Sequence, residues 1–593
     1  MKNNIKISAV CPKVYLADTT KNAKNIIRLA KFAAKQGAKI ITTPELSITG
    51  ATCGDLFLKP LLINNALKAL NTILKETKKF NAVLIVGLPL QVNTQLINAS
   101  AILYKGKILG LVPAEYCETP YFTPFRQISL SKALILGQKV PLRTFIFKAH
   151  NTTFAVKTGL DLNEYMPLIP KVDIIFNPSA NYEYLGKQEK LKELIAIYSA
   201  AQNCVYVYAS AGFGESSAAA VYSANILIYN KGLLIAKAPR LTMQEQIVTC
   251  DIKNATETQT AEISYKYDVK HPFSPANKKE LLEVLDLQAL ALARRLEQTK
   301  INKVILGISG GLDSTLALLS AVHTFKKLNL PLKNIFAYTL PGLGTTAKTK
   351  NNAELLCKAL GVSFEEIDIK PAILQHFKDI KHNKNIIDTT YENAQARERT
   401  QILFDISNKI NALVLGTGDM SEFALGWATY GGDHLSMYAI NAGIPKTLIQ
   451  EIVAEYAASA PEKVSKVLKD ILATPISPEL KPASKGKITQ KTEGLVGPYI
   501  LHDFFLYHFL VNNFGPKEIY KLALPAFKND FKKTEIKHWL EIFFRRFFSQ
   551  QFKRSCSAEG PKILKVSLSP FSDLRLPSDV NSTLWLEEIK KLN

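Results

Sequence analysis

The residues best suited to chemistry in this chain are the serines and the aspartate of residues 309–314, which read SGGLDS. An apolar run, residues 304–308, precedes them, and residues 315–319 continue with helical spacing. In such a strand–turn–helix, backbone N–H groups and the helix N-terminus face an anion, and the glycines let a phosphate approach closely. Asp313 would repel a bare phosphate, but it is suited to hold Mg²⁺ that bridges phosphate oxygens. The pattern therefore predicts a site for nucleotide phosphates bound with magnesium.

This loop differs from the two common phosphate-binding motifs. It lacks the lysine of a Walker A loop, and it is not G-x-G-x-x-G. A loop without that lysine suits a reaction that retains pyrophosphate and leaves AMP on the substrate. The alternative interpretation is a plain strand-to-helix turn whose glycines serve geometry alone. The serines and the aspartate at this point in the chain favour the first interpretation.

Further motifs follow in the second half of the chain. They are YENAQAR at 391–397, LGTGDMSE at 415–422, WATYGGDH at 427–434, PKT at 445–447 and FKRS at 552–555. SGGLDS is the signature of pyrophosphate-loop ATP ligases. Together these segments resemble the synthetase domain of the glutamine-dependent NAD synthetase family, from about His271 to the C-terminus.

The resemblance implies a role for each matching residue. ATP would be bound by Ser309, Gly310, Gly311, Leu312, Asp313, Ser314, Thr315, Leu316, Thr417 and Lys446. Deamido-NAD would be bound by Asn393, Glu422, Trp427, Ala428, Thr429, Tyr430 and Lys553. Asp313 and Glu422 would be catalytic and would hold Mg²⁺. Taken singly, each of three residues has a structural interpretation: Trp427 as core packing, Lys553 as a surface residue and Glu422 as a solvated carboxylate. The order and spacing of the three residues favour the functional interpretation.

The reaction implied by the resemblance is an ATP-dependent amidation. The nicotinate carboxylate of deamido-NAD attacks the α-phosphate of ATP, which gives an acyl-adenylate and pyrophosphate. Ammonia then attacks the acyl carbon and AMP leaves, so the products are NAD, AMP and pyrophosphate. Residues 341–349, PGLGTTAKT, are polar and contain glycine, and we predict that they form a lid that excludes water.

The first half resembles the nitrilase-like glutaminase domain of the same family. The matching segments are TPELSITG at 43–50, CGDL at 53–56 and YVYASAGFGES at 206–216. The family releases ammonia from glutamine with a Glu–Lys–Cys set, of which Glu45 matches the glutamate. The lysine is expected after Val112-Pro113, where Ala114 stands, and the cysteine after residues 156–158, where Gly159 stands. Neither side chain supplies an amine or a thiol, so we predict that this glutaminase is inactive.

Other front-half residues do not repair that loss. Cys117 lies near Ala114 and Lys157 near Gly159, but exchanged roles are disfavoured because nucleophile geometry tolerates little error. Asn181 and Lys187 stand where the resemblance calls for serine and arginine to hold glutamine. Cys204 and Cys53 are interpreted as structural: one opens an apolar strand, and the other matches a family cysteine outside the catalytic set.

These residues must be positioned by strands and helices, and the sequence pattern of those elements predicts an α/β fold in two domains. Short apolar strands alternate with helices such as residues 21–36 up to about residue 260, and a polar linker with two prolines covers 256–275. We predict a nitrilase-like α/β sandwich domain at 1–262 and a Rossmann-like pyrophosphate-loop domain at 270–593. Residues 278–298 read as a helix and 474–498 as a long loop, and the tail from 518 is helical, then basic.

Composition limits the number of domains, the cellular location and the partners that can be expected. With 593 residues, 47% hydrophobic and 21% charged, the chain is long enough for more than one core. The seven cysteines are irregularly spaced and form no CxxC pattern, which predicts a cytoplasmic protein without a structural metal. The sequence also has no long apolar run and no signal-like N-terminus, so no membrane partner is expected. The net charge of +23 comes from scattered lysines, so nucleic acid is not an expected partner. The resemblance also implies a homo-oligomer.

Three functions follow from the sequence. The first is NAD synthesis from ATP, deamido-NAD and free ammonia. The second is glutamine-dependent NAD synthesis, with a working front domain. The third is a protein that binds the dinucleotide without catalysis, against which the intact SGGLDS loop, Asp313, Glu422 and Lys553 speak.

Overall fold

The computed structural model describes residues 5–117, 120–162, 170–252, 268–475, 480, 494, 496–570 and 572–592. The chain divides into two compact units, one of residues 1–216 with 221–263 and one of residues 217–220 with 264–593. No helix in the described ranges is long and apolar enough to cross a membrane.

The first unit contains two six-stranded sheets. One has the order β14-β1-β2-β3-β4-β5 and the other β13-β12-β11-β10-β9-β8. The strands of the first sheet are β1 Lys6–Cys11, β2 Ile40–Thr42, β3 Val83–Val92, β4 Gln95–Tyr104, β5 Lys107–Pro113 and β14 Gln246–Asp251. Those of the second are β8 Ile146–Ala149, β9 Thr152–Val156, β10 Ile174–Ser179, β11 Val205–Ser210, β12 Ile226–Asn230 and β13 Leu233–Lys237, and a separate hairpin joins β6 Lys132–Ile135 to β7 Gln138–Pro141.

The two sheets enclose an apolar core, and helices cover their outer faces. Ile85 and Ile102 from one sheet and Phe176 and Val207 from the other share that core. Helices α1 Thr19–Lys35 and α2 Pro60–Glu76 pack on the first sheet, and α3 Lys187–Ala201 packs on the second. The unit is thus a helix–sheet–sheet–helix sandwich, as the sequence predicted.

The second unit is built on a five-stranded parallel sheet with the order β17-β16-β15-β18-β19. Its strands are β15 Val304–Gly307, β16 Ile335–Thr339, β17 Ser363–Glu366, β18 Leu413–Gly416 and β19 Tyr438–Ala439. The chain leaves β15 toward β16 on one side and reaches β18 on the other. This reversal opens a crevice at the carboxyl ends of β15 and β18, where ligands of such sheets bind.

Helices surround this sheet and extend into an aromatic C-terminal region. The helices are α4 Glu283–Thr299, α5 Leu312–Lys327, α6 Ala347–Leu360, α7 Lys370–Asp379, α8 Thr389–Ile410, α9 Met420–Leu425, α10 Lys446–Ser459, α11 Glu462–Leu472, α12 Tyr499–Leu510, α13 Pro516–Ala526, α14 Lys533–Ser549, α15 Gln551–Ser555 and α16 Thr583–Lys590. Phe504 and Phe505 of α12 and Phe543 and Phe547 of α14 are fully buried, and the rings of Phe505 and Phe543 lie 5.9 Å apart. Their burial fixes α12 beside the crevice.

The predicted elements are largely present. The strand predicted at residues 304–308 is β15, and the helix predicted at 278–298 begins with a 3-10 turn at Lys278–Leu282 before α4. The predicted linker, 256–275, lies outside the described residues except for 268–275, and most of the predicted loop 474–498 also lies outside them. The domain limits 1–262 and 270–593 therefore stay predictions.

Candidate active site

A pocket of about 630 Å³ opens at the carboxyl ends of β15 and β18. The predicted residues that line it are Ser309, Gly310, Gly311, Leu312, Asp313, Ser314, Asn393, Thr417, Glu422, Trp427, Ala428, Thr429, Tyr430, Lys446 and Lys553. Thr315 and Leu316 do not line it, because both side chains are fully buried in the first turn of α5. Motifs spread over some 240 residues of sequence thus surround one cavity, with Ser309 and Lys553 at the two ends.

The SGGLDS loop forms a compact turn at the N-terminus of α5. Gly310 has φ +81°, and a Cβ there would lie 2.1 Å from the carbonyl oxygen of Thr349, so only glycine fits. The hydroxyl oxygens of Ser309 and Ser314 lie 3.1 Å apart, and the Gly311 N–H donates to Ser309 Oγ. Backbone N–H groups, hydroxyls and the positive end of a helix therefore converge on the pocket, as an anion requires.

Three carboxylates surround the buried ammonium of Lys446. Its Nζ lies 2.5 Å from Asp313 Oδ2, 2.7 Å from Asp419 Oδ2 and 3.1 Å from Glu422 Oε1, and the lysine side chain is only 1% exposed. Asp313, Glu422 and Lys446 were predicted site residues, whereas Asp419 was not. The sequence signal for Asp419 was D-x-x-E at 419–422, a helix-capping pattern.

Asp419 shapes the segment that carries Glu422. Its Oδ1 accepts from the Glu422 backbone N–H at 2.8 Å, and the Asp419 N–H donates to Glu422 Oε2 at 3.4 Å. This capping box begins α9 and fixes both carboxylates side by side. The first turn of α9 thereby presents its acidic groups directly to Lys446.

Asp503 of α12 holds the start of α10, where Lys446 is the first residue. Its Oδ2 accepts from the Thr447 N–H at 3.0 Å and from Thr447 Oγ1 at 2.7 Å, and its Oδ1 accepts from Ser421 Oγ. Ser421 Oγ in turn accepts from the Lys446 N–H at 2.8 Å. The N-termini of α9 and α10 are therefore joined through one buried carboxylate, which the sequence analysis missed.

Burial and mutual repulsion set the electrostatics of this cluster. Burial raises the pKa of Glu422 to about 7, with Lys446 opposing the rise and Asp313 adding to it. Burial also raises the pKa of Asp419 well above its usual range, against the opposing effect of Lys446. Although burial favours a neutral amine, the three carboxylates raise the pKa of Lys446 well above its ordinary value. Lys446 is therefore a cation held by its neighbours.

The cluster also has the chemistry of a divalent-metal site. One oxygen from each of Asp313, Asp419 and Glu422 lies within 4.8 Å of the others. Asp313 Oδ1 is buried and has no hydrogen-bond partner among the described residues. Fully ionised, three carboxylates around one ammonium leave an excess of two negative charges, which a dication would balance. The residues therefore fit Mg²⁺, which prefers carboxylate oxygen ligands.

The opposite wall of the pocket carries aromatic and planar groups. Trp427 lies half-buried with the Arg546 guanidinium 5.4 Å from its ring, and the ring of Tyr430 stacks on His434. Thr429 Oγ1 donates to Asn393 Oδ1 at 2.9 Å. Flat π surfaces beside amide and hydroxyl groups suit an aromatic base or a pyridine ring.

Lys553 lines this wall and also forms hydrogen bonds to its backbone. Its Nζ donates to the carbonyl oxygens of Gly426 at 2.9 Å and Ala428 at 2.8 Å. Burial, with the nearby Arg546, lowers the pKa of Lys553 below its ordinary value. The predicted substrate lysine therefore also fixes the backbone on either side of Trp427.

Asn441 joins the two loops that follow β15 and β18. Its Nδ2 donates to the carbonyl oxygens of Asp313 at 2.8 Å and Thr417 at 3.1 Å, and the side chain is fully buried. Gln288 Nε2 donates to Asn441 Oδ1 at 3.0 Å, which fixes the orientation of the amide. Sequence reasoning missed Asn441, whose role depends on a fold that places it beneath both loops.

In the first unit, Glu45 lies beside the two predicted losses. A Cβ at Gly159 would lie 3.0 Å from Glu45 Oε1, and Gly159 has φ +65°. Asn98 Nδ2 donates to Glu45 Oε1, and the Asn98 carbonyl accepts from the Ala114 N–H at 2.9 Å. The sequence-predicted trio is thus brought together, with the Glu45 carboxylate packed against the glycine.

The neighbouring residues that might replace the lost groups are differently engaged. Lys157 Nζ lies 2.5 Å from Glu115 Oε1, and this pair borders a cavity of about 10 Å³, room for about one water molecule. Burial, with Glu45 adding to the effect, raises the pKa of Cys117 to about 12. A thiol with that pKa is almost entirely protonated at neutral pH and is a weak nucleophile. Cys204 is buried in the core beside α3, as predicted.

Two family models match the chain. One described as NAD synthase matches residues 284–487, and one described as Carbon-nitrogen hydrolase matches residues 6–139. The glutamine-dependent NAD(+) synthetases of Mycobacterium leprae and Mycobacterium tuberculosis are each 32% identical to this chain, with 99% of the chain and 98% of each relative covered. The chain belongs to the glutamine-dependent NAD(+) synthetase family. The family assignment and the two predicted fold types are thereby confirmed.

More distant members of the family agree in length and fold. The glutamine-dependent NAD(+) synthetase of Aquifex aeolicus is 26% identical and covers 95% of this chain. The crystal structure of a glutamine-dependent NAD(+) synthetase from Cytophaga hutchinsonii superimposes with a TM-score of 0.82 over 99% of this chain and 100% of that one, at 20% identity. The fold therefore matches that of this synthetase over nearly the whole chain.

Proposed function

We propose that this NAD synthetase family member amidates deamido-NAD with ATP and free ammonia, and releases NAD, AMP and pyrophosphate. The observation that carries the proposal is the Asp313–Asp419–Glu422 carboxylate cluster with Lys446 at the rim of the SGGLDS loop. A phosphate cradle beside three carboxylates and one ammonium, with room in charge for a dication, supports adenylyl transfer better than simple nucleotide binding, because charge moves during that step.

The loop residues would bind the triphosphate. The N-terminus of α5 and the hydroxyls of Ser309 and Ser314 donate to phosphate oxygens, and Lys446 adds a positive charge. Asp313 and Glu422 would hold Mg²⁺, which supplies positive charge to the phosphates and helps pyrophosphate to leave. Thr417 follows β18 and would contact the nucleotide from the other side of the crevice.

The dinucleotide would occupy the aromatic wall. Trp427 and Tyr430 offer ring faces to the nicotinate, and Asn393 with Thr429 orients it through amide and hydroxyl groups. The nicotinate carboxylate attacks the α-phosphorus, and the bond to pyrophosphate breaks. Ammonia then attacks the acyl carbon, gives a proton to solvent, and AMP leaves with the bonding electrons.

Free ammonia is the proposed nitrogen donor because the first unit lacks two groups of the glutaminase set. Ala114 and Gly159 have no amine and no thiol, Lys157 is paired with Glu115, and burial keeps Cys117 protonated. Glu45 alone cannot form the thioester that glutamine hydrolysis passes through.

An assay with one nitrogen source at a time tests the donor. The full chain is incubated with ATP, Mg²⁺ and deamido-NAD, and with either ammonium or isotope-labelled glutamine freed of ammonia. We expect NAD and AMP in equal amounts with ammonium and only background NAD with glutamine. Comparable rates with both donors would contradict the proposal.

The second candidate is glutamine-dependent synthesis, which the names of the relatives favour. Equal incorporation of glutamine nitrogen in the same assay would establish it. The third candidate, binding without catalysis, predicts no AMP under any condition. Asp313→Ala provides the control: it should abolish AMP formation while the aromatic wall still binds deamido-NAD.

A further inference from the structure

Lys446 contacts Asp313 and Glu422, the two residues that would hold Mg²⁺ in the proposed function. Its Nζ is 2.5 Å from Asp313 Oδ2 and 3.1 Å from Glu422 Oε1. Mg²⁺ binds oxygens at about 2.0–2.1 Å and requires a nearly octahedral shell. An ammonium in hydrogen-bond contact with both oxygens would repel a dication bound to the same oxygens, so the two cations compete electrostatically for these ligands.

The remaining oxygens of the pair differ in their contacts. Glu422 Oε2 accepts from the Asp419 N–H within the capping box of α9. Asp313 Oδ1 is the one carboxylate oxygen of these two residues without a hydrogen-bond partner among the described residues. One oxygen from one residue is a weak site for a strongly hydrated dication. Repulsion between the ammonium and a dication bound to both residues therefore favours departure of Lys446 from them.

Asp419 is the carboxylate positioned to keep its contact with Lys446 if the other two are released. It is fully buried, its Oδ1 caps α9, and its Oδ2 lies 2.7 Å from Nζ. The backbone N–H of Lys446 is fixed on Ser421 Oγ, so only the lysine side-chain torsions are available for the change. The ammonium can thus turn about an anchor at Asp419 toward phosphates on the adjacent SGGLDS loop.

We propose that Lys446 excludes divalent metal from the nucleotide-free site and releases Asp313 and Glu422 only when ATP phosphates attract its ammonium, with Asp419 as the anchor. Metal and ATP therefore enter together. The inference rests on the proposed function, because it assumes that ATP phosphates bind at the SGGLDS loop. It assigns Asp419 a positioning role, because this residue acts through Lys446.

Metal binding to the full chain without nucleotide tests this directly. Mn²⁺ is titrated into wild type and Lys446→Gln, with bound Mn²⁺ followed by electron paramagnetic resonance. Removing a buried positive charge should tighten Mn²⁺ binding by about tenfold or more. The same variant should bind ATP with Mg²⁺ more weakly than wild type, so the two affinities move in opposite directions. Lys358→Gln, an exposed lysine paired with Glu354, is the matched control and should change neither.

Equal Mn²⁺ affinities for wild type and Lys446→Gln would overturn the inference. If wild type still bound ATP with Mg²⁺ and Asp313→Ala did not, the proposed function would survive that result. Failure of wild type to bind ATP with Mg²⁺ at all would instead overturn the proposed function.

Thermal unfolding of wild type gives a second test that needs no variant, should Lys446→Gln not fold. A ligand that binds only the folded state stabilises it by an amount that grows with the logarithm of one plus the ratio of free ligand concentration to Kd. We expect millimolar Mg²⁺ alone to leave Tm unchanged, and ATP with Mg²⁺ to raise it. A rise with Mg²⁺ alone that Asp313→Ala removes would overturn the inference.

Discussion

At the residue scale, backbone geometry limits what can stand at the phosphate loop. Gly310 combines a left-handed backbone with a Cβ position 2.1 Å from the Thr349 carbonyl oxygen. Gly361 at the end of α6 has a similar φ of +76°, yet nothing lies within 4 Å of its Cβ position. The two glycines therefore separate the effect of backbone strain from that of steric overlap.

We predict that Gly310→Ala displaces the loop and lowers kcat/KM for ATP by about 100-fold, since small misplacements at a reacting centre have effects of that size. Gly361→Ala should reduce the free energy of unfolding by about 1 kcal/mol through left-handed strain and leave kcat/KM unchanged. Steady-state kinetics and urea unfolding of both variants check this. Equal kinetic losses in the two would contradict the steric argument.

A second residue-scale prediction concerns His502 of α12, which is buried. Its Nε2 donates to the Val496 carbonyl oxygen at 2.7 Å, because a carbonyl only accepts, so Nε2 carries the proton. Burial lowers the pKa of His502 from 6.5 to about 4. The unfolded chain therefore binds a proton more readily below pH 6.5, so stability falls as pH drops from 6.5 towards 4. The loss reaches about 3 kcal/mol for this group.

Unfolding of wild type and His502→Gln between pH 7 and pH 4 measures this effect. The glutamine variant is expected to be less stable at pH 7, because it packs less well against Trp539 and Phe543. Its stability should also depend less on pH across this window. Parallel pH profiles for the two proteins would contradict the assignment.

At the element scale, α9 and α10 must begin side by side, because their first turns carry Glu422 and Lys446. Asp503 achieves this from α12 by accepting from Ser421 and from Thr447 at once. This carboxylate is 2% exposed and stands in an otherwise apolar and aromatic helix. Its effect on the site is therefore exerted entirely through the positions of two helix ends.

We predict that Asp503→Asn turns one acceptor into a donor facing the Thr447 N–H. The free energy of unfolding should fall by about 1–3 kcal/mol, the usual penalty for an unsatisfied buried polar group. The KM for ATP should rise, with a smaller change in the KM for deamido-NAD. Asp470→Asn on the exposed face of α11 is the control, and a loss of stability without any change in KM for ATP would contradict a positioning role.

The parts of the site that could be predicted from the sequence are those encoded by a short, continuous sequence pattern. An apolar strand, a glycine turn and a helix are encoded within about a dozen residues, so β15, α5 and Asp313 were predictable. Asn441 and Asp503 act on loops and helices distant in sequence, and no local pattern reports such a contact. The sequence does give one indication of the role of Asp503, since a charged residue in an apolar helix usually has a buried partner.

At the scale of the whole molecule, the chain combines a synthetase unit with a front unit that has kept its sandwich core. The relatives match this chain over nearly its full length, so the front unit has been retained as a folded body. On the function proposed above, it supplies no ammonia. Its sheets and helices are nevertheless formed, because Ala114 and Gly159 lie just beyond the ends of β5 and β9 and outside the core that the two sheets share.

We predict that Ala114→Lys combined with Gly159→Cys leaves the enzyme dependent on ammonium. A side chain at residue 159 would meet Glu45 Oε1 about 3.0 Å from its Cβ, on a backbone with φ +65°. NAD formed from isotope-labelled glutamine measures the outcome, with Ala114→Lys alone as the control. Glutamine-driven synthesis at a tenth of the ammonium rate or faster would contradict the prediction.

The closeness of Glu45 to Gly159 also bears on repair of the front unit. A new side chain at residue 159 would meet the Glu45 carboxylate on a left-handed backbone, so one substitution would not by itself place a working nucleophile there. On the function proposed above, a cell that relies on this protein would depend on dissolved ammonia or on another protein that releases it. Its supply of NAD would then follow the availability of ammonia.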